Sequence, residues 1–496
     1  MPTTPAERTR DPDAFDIAVI GAGPAGLAAA VAAVAGGASV ALIDGSPRSG
    51  GQYWRHRPAD DGALHHDWSA FSRLRDGVAA GTSAGRLVHL AGHAVWHVER
   101  TAEGYAVHAV ADERDVEIHT GRVIIATGAY DRQLPFPGWT LPGVFTAGGA
   151  QALFKGQGVV AGRRVVIAGT GPLLLPLAAG LAGAGAKVAG VFEAGRPTGI
   201  LRRPMTVARA GKVRESLGYA SAFARHRIAY RTGLTVVAAH GTDAVQAVTV
   251  ARLDTDWNVV PGTEERITCD ALAVGYGFTP QVELAADLGC ELVLDPDGSM
   301  VVRVDERQRS SVDGAWVAGE ACGVGGSALA LVEGELAGLQ AAAAVTGLAL
   351  DAPTFAMLER RRARLRAFAS LLAATFPVRP GWQTWLADDT IVCRCEEVPA
   401  AALRDAVTDL GATDARTAKL FSRAGMGLCQ GRVCGSAMAA LVATASGRAV
   451  TAGDLAATTR RPIAVPITLG ALATGPVAQS LETPPIPVAP PEEVSA

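Results

Sequence analysis

Two stretches of this chain, Ile17 to Ile43 and Val165 to Ala186, carry no charged residue, yet neither is uniformly apolar. Each opens on a β-branched run, breaks at a Gly-x-Gly turn and continues as an alanine- and leucine-rich segment. Either is long enough to cross a bilayer, which takes about 20 residues. The internal glycines instead predict a buried strand, a turn and a helix in each. In the first unit Ile17 to Ile20 form a strand, Pro24 to Ala35 a helix and Ser39 to Asp44 a second strand, with Leu27, Val31 and Val34 on the helical face that covers the sheet. Arg122 to Thr127 reads as a further strand and ends in ATGAYDR. A second unit opens at Arg163 with the same order and extends to about Ala273. The chain then returns through LAVGYGFTP to a strand, a glycine-rich loop and a helix in GAWVAGEACGVGGSALALVEGELAGLQAAA. Asp351 to Asp388 reads as helical and contains the arginine-rich LERRRARLRAF, best explained as a solvated helix face. A cysteine-bearing segment follows from Thr390 to Arg448, and the final LETPPIPVAPPEEVSA reads as an extended tail.

This pattern predicts an α/β protein with two Rossmann-like dinucleotide-binding domains and a small C-terminal cysteine domain. The expected divisions are a tail at 1–14, the first nucleotide domain at 15–160 with its return segment at 274–348, and the second nucleotide domain at 161–273. A helical connector at 349–389, the cysteine domain at 390–450 and an extension with a proline-rich tail at 451–496 complete the chain.

At 496 residues the chain is too long for one core, and 19% charged residues suit packed α/β layers. A net charge of −3 supplies no basic field for nucleic acid or anionic lipid. The N-terminal MPTTPAERTRDPDAFD lacks the apolar centre of a secretory signal, which points to the cytoplasm, and no membrane-spanning segment is expected. There, thiols stay reduced, so the spacing of the seven cysteines matters more than their number.

Gly21, Gly23 and Gly26 follow a strand and open a helix, with Ala22, Pro24 and Ala25 between them. Gly21 permits the turn, Gly23 lets the backbone approach a pyrophosphate, and Gly26 allows close helix–strand packing. Asp44 ends the next strand 18 residues after Gly26, where an adenosine ribose needs an acceptor. Gly169 and Gly171 begin a second copy whose third position is Leu174. Glu193, ending its second strand, would favour a free ribose 2′-hydroxyl, although Arg196 lies nearby. This copy is open between a nicotinamide nucleotide site and a vestigial or differently occupied one.

Cys393 and Cys395 form Cys-x-Cys and, after 33 residues, Cys429 and Cys434 form Cys-x4-Cys. Four thiolates can hold a [2Fe–2S] cluster or structural zinc, so ligand type alone does not decide. The neighbouring dinucleotide domains favour a redox metal, with zinc and free thiols as alternatives. Cys322 has no partner for a redox dithiol, and the ten histidines show no catalytic spacing. No catalytic residue is assigned.

The segments GAGPAGLAAA, GGQYWR, ATGAYDRQLPFPGWTLPGVFTAGGAQ, VAGEACGVGGSALALVEG and the pair CRCEEV with GMGLCQGRVCG carry a resemblance. From Phe15 to about Leu472 the chain resembles the two-dinucleotide-domain flavoproteins, and within them the α-subunits of bacterial amino-acid dehydrogenases and oxidases. That family includes the A subunits of opine oxidases, the B subunit of hydrogen cyanide synthase and the α-subunits of proline and hydroxyproline dehydrogenases. The resemblance implies FAD held by Gly21 to Gly26 and Asp44, with Gly51, Gln52, Thr127 and Gly128 lining the site and Gly319 and Glu320 near the ribityl chain. It implies a [2Fe–2S] cluster on the four cysteines. It further implies that amine oxidation occurs in a flavoprotein β-subunit of the amino-acid oxidase type, and that electrons leave through this chain. A small ferredoxin-like subunit is a further possible partner. The sequence departs from the usual pattern where Asp44 and Glu320 exchange glutamate and aspartate, in the Cys-x4-Cys spacing, and at Leu174. Two other functions are open: a self-sufficient NAD(P)H-dependent flavin reductase, and a non-catalytic nucleotide-binding assembly subunit.

Overall fold

The computed structural model describes residues 14–478 apart from 202, 212, 349, 350, 462 and 476. Nearly all of the expected N-terminal tail and the proline-rich end from 479 lie outside the described residues.

The first sheet runs in the order Leu87–Ala91, Val40–Asp44, Phe15–Ile20, Arg114–Ile125, Tyr105–Ala111 and Ala94–Arg100, and the return strand Ala315–Val317 joins it beside Arg114–Ile125. Its central strand Phe15–Ile20 is buried along its length, which explains the unbroken apolar run. The helix Pro24–Ala35 lies against the return helix Ser327–Thr346. A Cβ on Gly334 would stand 2.0 Å from the Ala25 carbonyl oxygen, and one on Gly338 2.2 Å from that of Ala29. Glycine on one helix and alanine on the other therefore let the two backbones touch. Val31 and Val34 differ from expectation: they meet Gly77 and Gly81 of the helix Trp68–Ser83, which covers that face.

The second sheet is Tyr230–Thr232, Lys187–Glu193, Arg164–Gly169, Ala271–Gly275 and Val144–Thr146. It draws in residues before the expected border at 160/161. Val144–Thr146 pairs with Leu272–Val274, and the helix Ala147–Gln157 buries Ala147, Ala150 and Phe154 in the core of this sheet. Likewise the border at 273/274 cuts the strand Ala271–Gly275. Short antiparallel strands Ala129–Asp131 and Phe278–Pro280 bridge the two nucleotide units.

The connector helix ends at Thr375, short of Asp388, and a 3-10 turn follows at Pro380–Trp385. Pro377 and Pro380 explain the stop, since neither can donate to a continuing helix. That turn seats the cysteine domain on the second domain. Trp385 stacks on Trp257 at a 6.2 Å centroid separation and donates to its carbonyl, while Trp139 donates to the Ile391 carbonyl at 2.6 Å. The buried side chains of both units form one hydrophobic cluster. The C-terminal extension returns to the first sheet, where Val477–Ala478 pairs with Val116 and Glu117.

Among the described residues one helix, Ser327–Thr346, is long and apolar enough to cross a membrane, and most of that window is buried inside the fold.

Candidate functional site

Both Gly-x-Gly turns open onto one cleft of about 890 Å³ between the nucleotide domains. Below the first turn, a Cβ on Gly26 would lie 1.7 Å from the Gly21 carbonyl oxygen, so only glycine lets the helix begin there. Gly23 is different. A Cβ on it would meet nothing nearer than the Gly51 Cα at 3.9 Å, leaving its cleft side open. The helix starts with Pro24 and has no side-chain cap, so its amide N–H groups are available to an anion. Gly51, at φ +60°, lies against Gly23 and places Gln52 on the cleft wall.

Asp44 lines the cleft and accepts from the Ala22 and Ser46 amides at 2.5 and 2.6 Å. A carboxylate has further lone pairs, so a ribose hydroxyl can still be accepted. Thr127 and Gly128 line the opposite wall, where the Thr127 hydroxyl donates to the Gln281 carbonyl at 2.6 Å. Gly319 and Glu320 line the return side, and desolvation pushes the Glu320 carboxyl up. Ala22 and Gly26 lie beneath the turn and do not line the cleft.

The glycine-rich return loop is clamped from two elements. Glu333, 1% exposed, accepts from the Gly319 amide at 3.1 Å and pairs with Arg366 of the connector helix, which also donates to the Gly323 carbonyl. Breaking a buried pair costs about 3 kcal/mol, less here because Arg366 is one-third exposed. Leu358 and Leu365 pack the same helix onto the return helix, and Arg362 donates to Gln308. The arginine-rich segment therefore differs from a simple solvated face. Cys322 is buried in this region and donates to the Gly319 carbonyl at 3.1 Å; burial, with Glu333 beside it, pushes its thiol up.

The second turn is built otherwise. Its helix begins only at Leu174, so Pro172 and Leu173 separate Gly171 from the helix N-terminus. Leu174 is buried in the hydrophobic core. Glu193 has no exposed surface and turns inward, accepting from the Thr170 hydroxyl and the Gly171 and Gly195 amides at 2.7, 2.9 and 2.8 Å. Burial pushes its carboxyl up. Asp44 makes the matching pair of amide contacts at the first turn, but Asp44 lines the cleft and Glu193 does not. Gly169 also lies away from the cleft, packed against the Gly275 carbonyl. Thr375, at the end of the connector helix, abuts Gly195 and Gly199, while Leu372, Ala373 and Phe376 line the cleft. Thr170, Gly171, Pro172 and Leu173 of this turn line the cleft, and a Cβ on Gly171 would meet nothing within 4 Å.

The four cysteines come together as two pairs. Cys434 interacts with Cys393, and Cys395 with Cys429. The Gly425 amide donates to the Cys393 sulfur at 3.4 Å, and Gly427 lies so close to Cys395 that a Cβ would stand 2.3 Å from it. Burial opposes ionisation of Cys429, yet the Val433 amide, the Cys395 thiol and the Gly431 and Arg432 amides lower its pKa below the ordinary thiol value. Among the described residues no group of three or more His, Cys, Asp or Glu side chains converges for a single ion. Two thiol pairs fit a two-iron centre better than one tetrahedral zinc.

Several residues at the site escape sequence reasoning: Tyr130, Glu283, Glu333, Arg366, Arg432 and Arg461. Tyr130 sits in ATGAYDR and Arg432 in CQGRVCG, but nothing local signals that they meet.

Comparison with known proteins agrees with both halves of the chain. Residues 15–344 match the pyridine nucleotide-disulphide oxidoreductase family, and residues 391–444 match the BFD-like [2Fe-2S] binding domain. The HcnB component of hydrogen cyanide synthase from Pseudomonas protegens is 32% identical, over 84% of this chain and 89% of that protein. The A subunit of opine oxidase from Agrobacterium tumefaciens is 34% identical, over 93% and 92%. In fold, the chain is similar to L-proline dehydrogenase from P. horikoshii, with a TM-score of 0.66 and 22% identity over 92% of this chain and 79% of that one. The chain thus belongs to the pyridine nucleotide-disulphide oxidoreductase family, as an FAD-dependent oxidoreductase with a C-terminal [2Fe–2S] domain.

Proposed function

We propose that this chain is the electron-transferring subunit of a hetero-oligomeric amino-acid or imino-acid dehydrogenase, acting on a proline-, hydroxyproline-, opine- or sarcosine-like amine oxidised in a partner flavoprotein. The observation that carries it is the contrast between the two nucleotide turns. At the first, Asp44 lines the cleft beside the turn, whereas at the second Glu193 is fully buried and does not line it, and Thr375 of the connector helix lies against Gly195 and Gly199 of the following loop. In this reading electrons come from a partner subunit and not from NAD(P)H, and relatives of similar length are named as subunits of hydrogen cyanide synthase and of opine oxidase.

In this proposal the Gly23 turn and the helix at Pro24 bind the FAD pyrophosphate, Asp44 the adenosine ribose, and Gly51, Gln52, Thr127, Gly128, Gly319 and Glu320 enclose the remainder. Cys393, Cys395, Cys429 and Cys434 ligate the cluster. FAD supplies a centre that accepts two electrons and releases them singly to iron. The chain's own part is to orient the cofactor, with the Glu333–Arg366 clamp fixing the return loop. A partner surface is proposed on the cysteine domain, where Cys395 and apolar Leu428 are both exposed, the latter at 78%. The three cysteines outside the proposed cluster, Cys269, Cys290 and Cys322, are buried free thiols, which suits a reducing cytoplasm.

Anaerobic mixing of the purified chain with excess NADH or NADPH tests the contrast between the turns. Flavin absorbance at its visible maximum is expected to stay unchanged over minutes. Complete bleaching within seconds would favour the reductase, and a flavin that dithionite cannot reduce would favour the assembly role.

A further inference from the structure

A buried charged junction joins the cleft wall to the cysteine loop. Glu283, 6% exposed, begins a short helix on the return segment and lines the cleft. Its Oε1 accepts from the Tyr130 hydroxyl at 2.7 Å, and Arg432 Nε and Arg461 Nη1 each lie 3.3 Å from it. Tyr130 itself lines the cleft. Burial, with Glu283 beside it, pushes the Tyr130 hydroxyl far up, so it stays protonated as the donor.

Arg432 lies between Cys429 and Cys434, and its Nη1 donates to the Cys429 carbonyl at 3.2 Å. Its other terminal nitrogen donates to the Ala464 carbonyl. Arg461, from the C-terminal extension, donates to the Thr458 carbonyl and lies against Gly431 of the cysteine loop. Three distant segments thus meet on one carboxylate oxygen. A continuous path runs from the cleft through Tyr130, Glu283 and Arg432 to the backbone of Cys429.

The charges do not cancel. Two guanidinium groups, each with a side chain 12% exposed, face one carboxylate next to the thiols. Net positive charge beside an iron–sulfur cluster stabilises its reduced form, and net charge is among the factors that set such potentials. At low local dielectric the effect is larger than at a surface.

We propose that Glu283 is a positioning and tuning residue for electron transfer from flavin to cluster. It holds Arg432 of the cysteine loop to the cleft wall and offsets the positive field of Arg432 and Arg461. This rests on the reading that the four cysteines ligate the cluster. No bond forms or breaks at the junction: one electron leaves the reduced flavin and one enters the oxidised cluster, and the three side chains act by charge and position.

The test is a redox titration of the full-length protein, prepared anaerobically and followed by electron paramagnetic resonance of the reduced cluster. Glu283→Gln removes the negative charge and keeps the shape, so the midpoint potential is expected to rise. Arg461→Gln lies outside the cysteine loop and is expected to lower it, while Arg461→Lys restores the charge and the wild-type value. Opposite shifts separate tuning from mere loosening, which would move both variants the same way. Shifts of one sign, or unchanged potentials in variants that retain full acid-labile sulfide, would overturn the proposal. Wild-type protein without acid-labile sulfide would instead defeat the reading beneath it.

Discussion

Gly23→Val is expected to leave the chain folded and strip it of flavin. Gly23 has φ −77° and ψ −172°, an extended conformation that valine adopts readily. Its Cβ would meet no atom closer than 3.9 Å, so the fold has room for it. The added branches would occupy the mouth of the turn, where the proposed pyrophosphate must approach backbone N–H groups to be held. Gly26→Val is the contrasting variant: its Cβ would lie 1.7 Å from the Gly21 carbonyl oxygen and should disrupt folding. The ratio of visible flavin absorbance to protein absorbance, with thermal unfolding alongside, measures both effects. Near-complete flavin loss with a cooperative transition is expected for Gly23→Val. A folded variant with full flavin absorbance would place the site elsewhere.

The second large effect is expected at Cys434, 2% exposed at the base of the cysteine loop. Cys434→Ser puts a hydroxyl in place of a thiol, and hydroxyl oxygen is a far poorer ligand for iron–sulfur chemistry than thiolate. Acid-labile sulfide and the paramagnetic signal of the reduced cluster should fall to background while flavin is retained, because Cys434 does not line the cleft. Cys322→Ser should change neither, since that thiol serves only buried hydrogen bonds. Stoichiometric zinc without sulfide in the wild type, or full sulfide in the Cys434 variant, would contradict the assignment.

Much of the fold is legible in local pattern, because strand–turn–helix units announce themselves through glycine spacing and apolar runs. Such short-range rules suffice to put Gly21, Gly23 and Asp44 around a cleft. Glu193 shows the limit. Its position at a strand end is legible, but its direction depends on Thr170, Gly171 and Gly195, whose spacing satisfies the carboxylate internally. The strand Val144–Thr146 escapes for a related reason: three residues make no periodic signal, and pairing with Leu272–Val274 decides their membership. Glu283, Arg432 and Arg461 each look like an ordinary surface charge in the sequence. Only tertiary packing gathers them, and the segment that delivers Arg461 carries no motif of its own.

Electron entry from an amine-oxidising partner is decided by co-expressing this chain with an amino-acid-oxidase-type flavoprotein encoded beside it. Proline, hydroxyproline, sarcosine or an opine is then added anaerobically, with cluster reduction read by paramagnetic resonance and turnover by dye reduction. One of these amines is expected to reduce the cluster in the complex, and none to do so in the isolated chain. Substantial amine turnover by the isolated chain would contradict the proposal.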